Sequence, residues 1–392
     1  MNKNLKIAIY SGTVPSTTFI ERLIHGLAKK GCQVFLFGVQ NKKTYRSANI
    51  HYYTYTNKLN KFFQFIKYSL LLRMFKSSEK KKLDKIILSK NKNSNYLKLK
   101  YYAVLYHRPD IFHLQWAKGI EDWMWVQDFG IKLIVSLRGT HITISPIGNN
   151  YWKEIYSKYF SQIDGFHAVS KSMIDKAQGY GADLSKTGVI KSGLDLNILP
   201  FKSITKKSKS LRILSVGRSH WTKGYSYALD AIYLLKRSGI DFHYTIIGVE
   251  EDEELLYQRS QLGLESDVKF IEKLHFNEVL KSMKAADVLL LSSVEEGIAN
   301  VVLEAMALGT LVISTVCGGM DEVVSDNENG FLVPIRDAVA ISSALQRVSG
   351  MSLEEYQKMT KAARITIEKQ HALEKMVVEM QAFYQRVLNK EL

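Results

Sequence analysis

The chain has 392 residues, 46% of them hydrophobic, and a formal net charge of +16. This length favours two domains, and the hydrophobic fraction excludes a disordered chain. The only cysteines, Cys32 and Cys317, are too far apart in sequence to suggest a metal site or a disulfide scaffold, which fits a reducing cytoplasm.

The first residues and the apolar stretches of the chain indicate where it works. A strand-like run at 5–10 takes the place of the apolar core and small-residue cleavage site that a signal peptide would need. The nearest candidate for a membrane span, 62–72, is short and is interrupted by Lys67. We therefore expect a cytoplasmic protein, either soluble or peripheral on the inner face of the cell membrane.

The first half of the chain alternates short apolar runs with helical patterns. A helix is predicted over 19–30, where apolar residues recur at helical spacing, and Gly31 ends it. This alternation predicts a parallel sheet covered by helices on both faces, so we assign 1–198 to a Rossmann-like domain. The predicted strands of this half are 5–10, 34–37, 111–114, 133–137, 165–169 and 188–190.

Residues 58–100 hold much of the positive charge. They contain thirteen Lys or Arg residues against two acids, Glu79 and Asp84, a local charge of +11. Aromatic and aliphatic residues are interleaved with the lysines, which favours an interfacial amphipathic helix that docks on an anionic membrane. A solvated charged face is one alternative. Nucleic-acid binding is another, but no nucleic-acid-binding motif supports it, and we expect no nucleic-acid partner.

A second series of strands and helices follows the first. The pattern breaks at 199–210, a polar and basic stretch that we interpret as a linker. We assign 211–372 to a second Rossmann-like domain and 373–392 to a helix that packs back on the first domain. Two doubly wound domains predict a central cleft, with ligands at the carboxyl ends of the strands. The predicted strands are 212–216, 244–247, 268–271, 288–291, 311–314 and 331–333, with helices such as 226–237 and 277–285 between them.

The segment SSVEEGIANVVLEAMALGTLVIST, residues 292–315, carries the strongest functional signal. A loop with Glu296 follows the strand at 288–291, and a helix that contains Glu304 runs from about 300 to 308. Both carboxylates can therefore face the cleft near a helix N-terminus. Such a terminus attracts phosphate, and carboxylates accept hydrogen bonds from hydroxyls, so the pattern suits a nucleotide sugar.

This pattern, with seven residues between Glu296 and Glu304, resembles the signature of the retaining glycosyltransferases of family 4, which have the GT-B fold. Other similar segments are ILSVGRSHWTKG at 213–224, VIKSGLD at 189–195 and NGFLVP at 329–334. In the first half, PSTTFIERLIHGLAKKGCQV at 15–34 and RPDIFHLQW at 108–116 resemble members that build bacterial surface polysaccharides. The resemblance implies transfer of a hexose from a nucleotide diphosphate sugar to a membrane-associated glycan or lipid-linked acceptor.

The resemblance also implies roles for single residues. Arg218 and Lys223, next to Gly217, would clamp the donor diphosphate and stabilise charge on the leaving nucleotide. Glu304 would bind ribose hydroxyls, and Glu296 would contact hydroxyls of the transferred sugar. The donor would bind mainly to the second domain and the acceptor to the first. The backbone of Gly297, Ile298, Ala299 and Asn300 would approach the phosphates and sugar, and Gly12 would border the donor from the first domain.

The chain departs from the family pattern in the first half. Many members place a histidine near the sugar after the strand at 133–137, where this chain has Arg138 and, three residues on, His141. Both remain candidates for that catalytic position. The N-terminal loop has Ser16, Thr17 and Thr18 in place of a common Gly-Gly pair.

No Asp-x-Asp motif suggests a metal site, so we expect neither a metal nor another cofactor. The resemblance implies that basic residues and a helix dipole replace a divalent cation. A second hypothesis is a catalytically inactive protein that binds nucleotide sugar or serves as a scaffold at the membrane.

Overall fold

A computed structural model describes residues 5–42, 44, 47–90, 94–206 and 208–389. The chain divides into two compact units, one formed by the residues up to Gly193 together with the segment from Leu373, the other by Leu194–Ala372. Each unit is built on a parallel sheet with helices between its strands, as the alternating pattern predicts.

The sheet of the first unit has the strand order β2-β3-β1-β5-β6-β7-β8, with β4 paired to β3. The order reverses between β1 and β5, which is the type of position where doubly wound sheets bind ligands. The strands are β1 (Lys6–Tyr10), β2 (Thr13–Val14), β3 (Gln33–Gln40), β4 (Ile50–Tyr55), β5 (Ile111–Leu114), β6 (Lys132–Leu137), β7 (Gly165–Ala168) and β8 (Thr187–Val189).

Helices connect these strands and cover the sheet. Most of the basic segment lies in the three helices between the strands β4 and β5. The α-helices are α1 (Thr18–Lys29), α2 (Lys58–Phe75), α3 (Ser77–Ser89), α4 (Ser94–His107), α5 (Ile120–Trp123), α6 (Thr140–Thr143), α7 (Ser145–Gly148), α8 (Asn150–Tyr159) and α9 (Lys171–Gln178), with 3-10 turns at Ala117–Gly119, Met124–Phe129, Phe160–Gln162 and Leu184–Lys186.

The sheet of the second unit has the order β11-β10-β9-β12-β13-β14, the dinucleotide-binding order of a doubly wound fold. Its strands are β9 (Leu211–Val216), β10 (Phe242–Ile247), β11 (Val268–Ile271), β12 (Val288–Leu291), β13 (Leu311–Thr315) and β14 (Phe331–Val333). Its helices are α10 (Tyr225–Arg237), α11 (Glu253–Gln261), α12 (Phe276–Ala285), α13 (Asn300–Leu308), α14 (Ala338–Gly350) and α15 (Leu353–Gln370), with 3-10 turns at Trp221–Lys223 and Met320–Glu322.

The segment 199–210, which we interpreted as a linker, packs on the second unit. The Lys202 N–H donates to the Leu308 carbonyl at 3.0 Å, and the Ile204 carbonyl accepts from Gln357 Nε2 at 2.7 Å. These bonds attach the segment to the ends of α13 and to α15. The compact unit therefore begins at Leu194, before the predicted linker.

The last helix, α16 (Leu373–Asn389), completes the core of the first unit. It lies so close to α1 that a Cβ on Gly26 would come within 2.4 Å of Val377 Cγ2. Only glycine at position 26 allows this approach. The buried face of α16 consists of Met376, Val377, Met380, Phe383, Tyr384 and Val387.

Buried polar groups of the first unit are linked to α16 as well. His113 on β5 shares hydrogen bonds with the Tyr384 hydroxyl at 2.7 Å and the Ser136 hydroxyl at 2.8 Å.

No helix within the described ranges is long and apolar enough to cross a membrane.

Candidate functional site

Two loops of the second unit meet where its strand order reverses, at the carboxyl ends of β9 and β12. The Val294 N–H of the second loop donates to the Thr222 carbonyl of the first at 2.7 Å. The Ser292 hydroxyl donates to the Lys223 carbonyl at 2.9 Å. The loops that carry the predicted donor-binding residues are therefore joined through their backbones.

Two glycines with positive φ allow close backbone approaches to the second loop, one from the first loop and one from the turn after β13. Gly224 has φ +61°, and a Cβ there would lie 2.2 Å from the Ser292 carbonyl oxygen. Gly318 has φ +58°, and a Cβ there would lie 1.7 Å from the Glu296 carbonyl oxygen. An L side chain at either position would be strained and would also collide with backbone, so both positions require glycine.

Lys223 and Glu296 form an ion pair at the centre of the joined loops. The Ser293 hydroxyl donates a second hydrogen bond to the same carboxylate oxygen at 3.1 Å. Both charged side chains keep some solvent access, at 19% and 17% of their surface. Because an ammonium has three N–H donors, Lys223 can hold Glu296 and still donate to a ligand.

Arg218 is exposed at the start of the first loop, directly after Gly217. Burial lowers the pKa of His220, and the positive charges of Arg218 and Lys223 lower it further. Both cations therefore act on the same small region. The Gly217 carbonyl accepts from the Tyr225 hydroxyl at 3.1 Å, which fixes the loop to the first turn of α10.

The N-terminus of α13 follows the second loop. Ala299 is its N-cap and provides no side-chain cap. The Val302 N–H donates to the Ala299 carbonyl at 3.0 Å, so the N–H groups of Asn300 and Val301 precede the first intrahelical bond. The preceding backbone is fixed, because the Gly297 carbonyl accepts from the Gly319 N–H at 3.0 Å. The Ala299 N–H is directed to Met320 Sδ at 3.3 Å, whereas the neighbouring Ile298 side chain is buried.

Glu304 lies one turn after Asn300 on the same face of α13 and is only 6% exposed. The Oδ1 atom of Asn300 is buried without a hydrogen-bond partner in the structure. The arrangement in the second unit thus combines two cations, a helix N-terminus and two carboxylates. It suits a ligand that has both anionic groups and hydroxyls.

The predicted residues of the first unit lie at the carboxyl ends of its strands. Gly12 follows β1 with φ +91° and has open space where a Cβ would be. Arg138 follows β6, and its guanidinium lies 4.7 Å from the Phe19 ring centroid. Burial lowers the pKa of Arg138 to about 10. His141 stacks near Trp116, with ring centroids 5.1 Å apart.

Three further polar residues at strand ends, one in the second unit and two in the first, were not among the site residues predicted from the sequence. Ser293 binds Glu296, whereas Gln115 and Ser170 follow β5 and β7 and are fully buried. Their position was a usable signal, since each polar residue follows closely on a predicted apolar strand of a parallel sheet. Within the described part of the chain, no group of three or more His, Cys, Asp or Glu is placed to hold a metal ion.

The family model described as glycosyl transferases group 1 matches residues 200–366. A relative from Escherichia coli K12, WcaL, whose name provisionally assigns it to colanic acid biosynthesis as a glycosyltransferase, is 30% identical over 268 residues. This match covers 67% of the chain and 63% of WcaL. The amylovoran biosynthesis glycosyltransferase AmsK of Erwinia amylovora is 31% identical over 225 residues, 56% of the chain and 55% of AmsK. The chain thus spans less than two thirds of either relative.

Solved structures establish the fold class. The crystal structure of HepE from Anabaena, in complex with UDP and glucose, aligns with a TM-score of 0.71 at 16% identity. The alignment covers 97% of the chain and 99% of HepE. The chain therefore has the predicted GT-B fold, with two Rossmann-like parallel-sheet units.

Proposed function

Because residues 200–366 form a glycosyl transferases group 1 domain, we propose that the chain is a retaining glycosyltransferase of family 4. It would move a hexose from a nucleotide diphosphate sugar to a glycan or lipid-linked acceptor in surface polysaccharide biosynthesis. The carrying observation is the Lys223–Glu296 pair beside Arg218 and the uncapped α13 N-terminus. WcaL and AmsK, named for polysaccharide biosynthesis, and HepE, solved with UDP and glucose, support the substrate class.

In this proposal, different charged groups bind different parts of the donor. Arg218 and Lys223 bind the diphosphate, and the backbone of Gly297, Ile298 and Asn300 at the α13 N-terminus adds N–H donors, while the Ala299 N–H is directed to Met320 Sδ. These positive groups stabilise the nucleotide as it leaves with an additional negative charge. Glu304 accepts hydrogen bonds from ribose hydroxyls and Glu296 from those of the hexose.

The glutamate–lysine contact links the two halves of the donor in the proposed mechanism. Lys223 shares its ammonium between Glu296 and a phosphate oxygen, so it orients the carboxylate that holds the sugar. Retention rests on the resemblance of 292–315 to family 4. We further propose that Arg218, Lys223 and the helix N-terminus neutralise the phosphates without a divalent cation or another cofactor.

A transfer assay tests the proposal directly. Purified chain is incubated with UDP, GDP and ADP sugars and a lipid-linked acceptor fraction, and nucleotide release is measured with and without acceptor. Acceptor-dependent release that Lys223→Ala lowers at least tenfold, while Arg237→Gln leaves it unchanged, supports the enzyme; the tenfold expectation follows from losing a charge-assisted bond of about 1.5–3 kcal/mol. Nucleotide binding without transfer would favour the inactive binding or scaffold protein.

We also propose that the chain docks on an anionic membrane through α2. One face of α2 is buried in the unit at Tyr68 and Leu72, and the opposite face is apolar and exposed. The helix is therefore apolar on two faces, not amphipathic as its sequence suggested. The exposed residues recur at helical spacing, and they are Leu59, Phe62, Phe63, Ile66, Leu70 and Met74, each 37–72% exposed.

The charges around this face favour a lipid surface over a protein partner. Several basic residues of 58–100 have structural tasks, such as Lys80 paired with Asp84 and Lys100 with Asp122. Lys58, Lys67 and Arg73 on α2 remain exposed. Apolar side chains flanked by cations are the pattern of an interfacial helix that inserts between anionic headgroups.

Vesicle co-sedimentation tests this docking surface. We expect the chain to bind vesicles that contain about 30% anionic lipid and to bind purely zwitterionic vesicles weakly. Replacing Leu59, Phe63 and Leu70 by Glu should abolish binding, whereas Tyr257→Glu, a matched change at an exposed position of α11, should not. If the triple glutamate variant binds anionic vesicles as well as the Tyr257→Glu control does, docking through α2 is refuted.

A further inference from the structure

Three neighbouring strands of the first unit end in buried or partly buried polar residues. Gln115 follows β5, Arg138 follows β6 and Ser170 lies two residues beyond β7. The strands are parallel and in register, with Leu114 opposite Val135 and Leu137 opposite Ala168. The three polar side chains therefore belong to one edge of the sheet, and we call this group the Arg138 subsite.

Arg138 has no counter-charge in this subsite. Its Nη2 donates to Gln115 Oε1 over a long 3.4 Å, and its buried Nε finds no hydrogen-bond partner among the described residues. Among the residues that the structure describes, no carboxylate lies within ion-pair distance of the guanidinium. Arg138 is partly buried, and a cation partly withdrawn from water without a compensating charge is costly, so such a group is a candidate to bind a ligand.

The positive charge of Arg138 helps to lower the pKa values of two neighbouring histidines. Burial lowers the pKa of His167 to about 3, and the charge of Arg138 contributes to the shift. His113 is affected in the same direction, first by burial and then by His167 and Arg138. Both histidines are therefore neutral at pH 7 and do not compete with Arg138 for an anion, nor do they compensate its charge.

Two more polar groups of the subsite lack partners. Gln115 and Ser170 are each 0% exposed, and within the described part of the chain neither Gln115 Nε2 nor Ser170 Oγ has a hydrogen-bond partner. Ser170 is the N-cap of α9, yet its side chain makes no capping bond. Both atoms can donate, as can the guanidinium, so the unpartnered groups of the subsite are matched to oxygen acceptors.

One aromatic ring packs on the cation, and two more follow beside it. Phe19 lies against the guanidinium, and its ring centroid is 6.1 Å from that of the partly exposed Trp116. Trp116 in turn lies beside His141. Rings of this kind provide flat apolar surfaces, which suit the carbon face of a sugar next to a group that fixes its charge.

We propose that the Arg138 subsite binds an oxyanion, a carboxylate or a phosphate, on the sugar of the acceptor. The proposal rests on the transferase function and deepens it, because it makes the acceptor an acidic saccharide. The bidentate guanidinium holds the two anionic oxygens, and Gln115 and Ser170 donate to the remaining lone pairs. Specificity follows, since a neutral sugar would leave the Arg138 cation without a counter-charge.

The sharpest test is Gln115→Glu, a change of nearly equal shape. Since Gln115 Oε1 already accepts from Arg138, the new carboxylate supplies the missing counter-charge within the protein. We expect the variant to fold with an unfolding midpoint no lower than that of the parent and to lose the anion site. Ser170→Ala, which adds no charge, should weaken anion binding a few-fold.

Calorimetric titration of the full chain provides the readout, with methyl glucuronoside, glucose 6-phosphate and methyl glucoside as ligands. We expect at least one anionic sugar to bind about tenfold or more tightly than the neutral one. The first two ligands distinguish a carboxylate from a phosphate source. Gln115→Glu should reduce this affinity to the neutral level, whereas Lys223→Ala and the surface control Arg237→Gln should retain it.

Two outcomes would overturn the subsite. One is equal affinity for charged and neutral sugars in the parent chain. The other is anion binding that survives Gln115→Glu but disappears in Lys223→Ala, because the anion would then occupy the second unit. Failure of the transferase function would look different, as an absence of transfer to every acceptor while selective anion binding persists.

Discussion

Gly318 offers a quantitative test of how the second unit supports Glu296. Its φ of +58° is strained for any L residue, and a Cβ there would lie 1.7 Å from the Glu296 carbonyl oxygen. That oxygen belongs to the backbone and cannot rotate away as a flexible side chain could. Gly318→Ala must therefore displace the loop that carries Glu296, or the turn of Gly318 itself.

The magnitude follows from two terms. The left-handed conformation costs an L residue about 1–2 kcal/mol, and overpacking adds about 1–3 kcal/mol. Gly239→Ala is the matched control in the same unit, because φ is +78° but no atom lies within 4 Å of the added Cβ. We expect destabilisation of about 2–5 kcal/mol for Gly318→Ala and about 1–2 kcal/mol for Gly239→Ala.

Thermal unfolding followed by circular dichroism measures the difference. At about 2–4 °C per kcal/mol for a unit of this size, the control should lose about 2–8 °C and Gly318→Ala about 4–20 °C. Titration with UDP, GDP and ADP should show that Gly318→Ala alone weakens binding of the preferred nucleotide. Equal midpoints and equal nucleotide affinity for the two variants would refute this account of the loop.

Three further predictions concern the site and the first unit. Glu304→Gln should weaken nucleotide binding about tenfold by calorimetry, since it replaces a charged acceptor of ribose hydroxyls by a neutral one; an unchanged affinity would remove Glu304 from the donor site. Treatment with EDTA should leave the transfer rate unchanged, and a loss that Mg²⁺ or Mn²⁺ restores would contradict cation-free phosphate binding. Burial lowers the pKa of His167 to about 3, so the folded chain keeps it neutral where the unfolded chain protonates it; stability should fall as pH drops below about 6.5, by at most about 1.4 kcal/mol per pH unit from this residue. His167→Gln should flatten that slope, and an identical pH profile would exclude the residue as a cause.

The sequence predicted the second unit more closely than the first. The predicted strands 268–271, 288–291 and 331–333 coincide with β11, β12 and β14, and the helix before Gly309 ends where predicted. Strands 288–291 and 311–314 lie in the interior, so uninterrupted apolar runs mark them. Gly309 has φ +89°, the conformation in which a glycine ends a helix.

The strand β4 and the basic segment that follows it show where pattern alone is insufficient. The strand β4, of sequence IHYYTY, was missed because it is partly exposed and lacks a continuous apolar run. The helix α2 carries apolar residues toward the unit and toward solvent, so its periodicity does not reveal which face is buried. Tertiary contacts with α4, such as Tyr68 to His107 at 3.0 Å, decide that question.

Part of the candidate site could also be predicted from the sequence, and part could not. The motif around Glu296 and Glu304 could be found from spacing, because it lies within one loop and helix. The contact of Lys223 with Glu296 joins residues 73 positions apart and depends on the strand order. That Gln115 Nε2 and Ser170 Oγ lack partners among the described residues becomes apparent only when burial and hydrogen bonds are known.

The place of α16 in the fold determines the order in which the two units can complete their folding during synthesis. Ribosomes synthesise α16 after every residue of the second unit, yet its apolar face belongs to the core of the first unit. The second unit can therefore fold while the first still exposes the face of α1 around Gly26 and lacks the Tyr384 partner of His113. We therefore expect the N-terminal unit to be completed last, which reverses the usual order, and its apolar surface on α1 to stay exposed until α16 emerges.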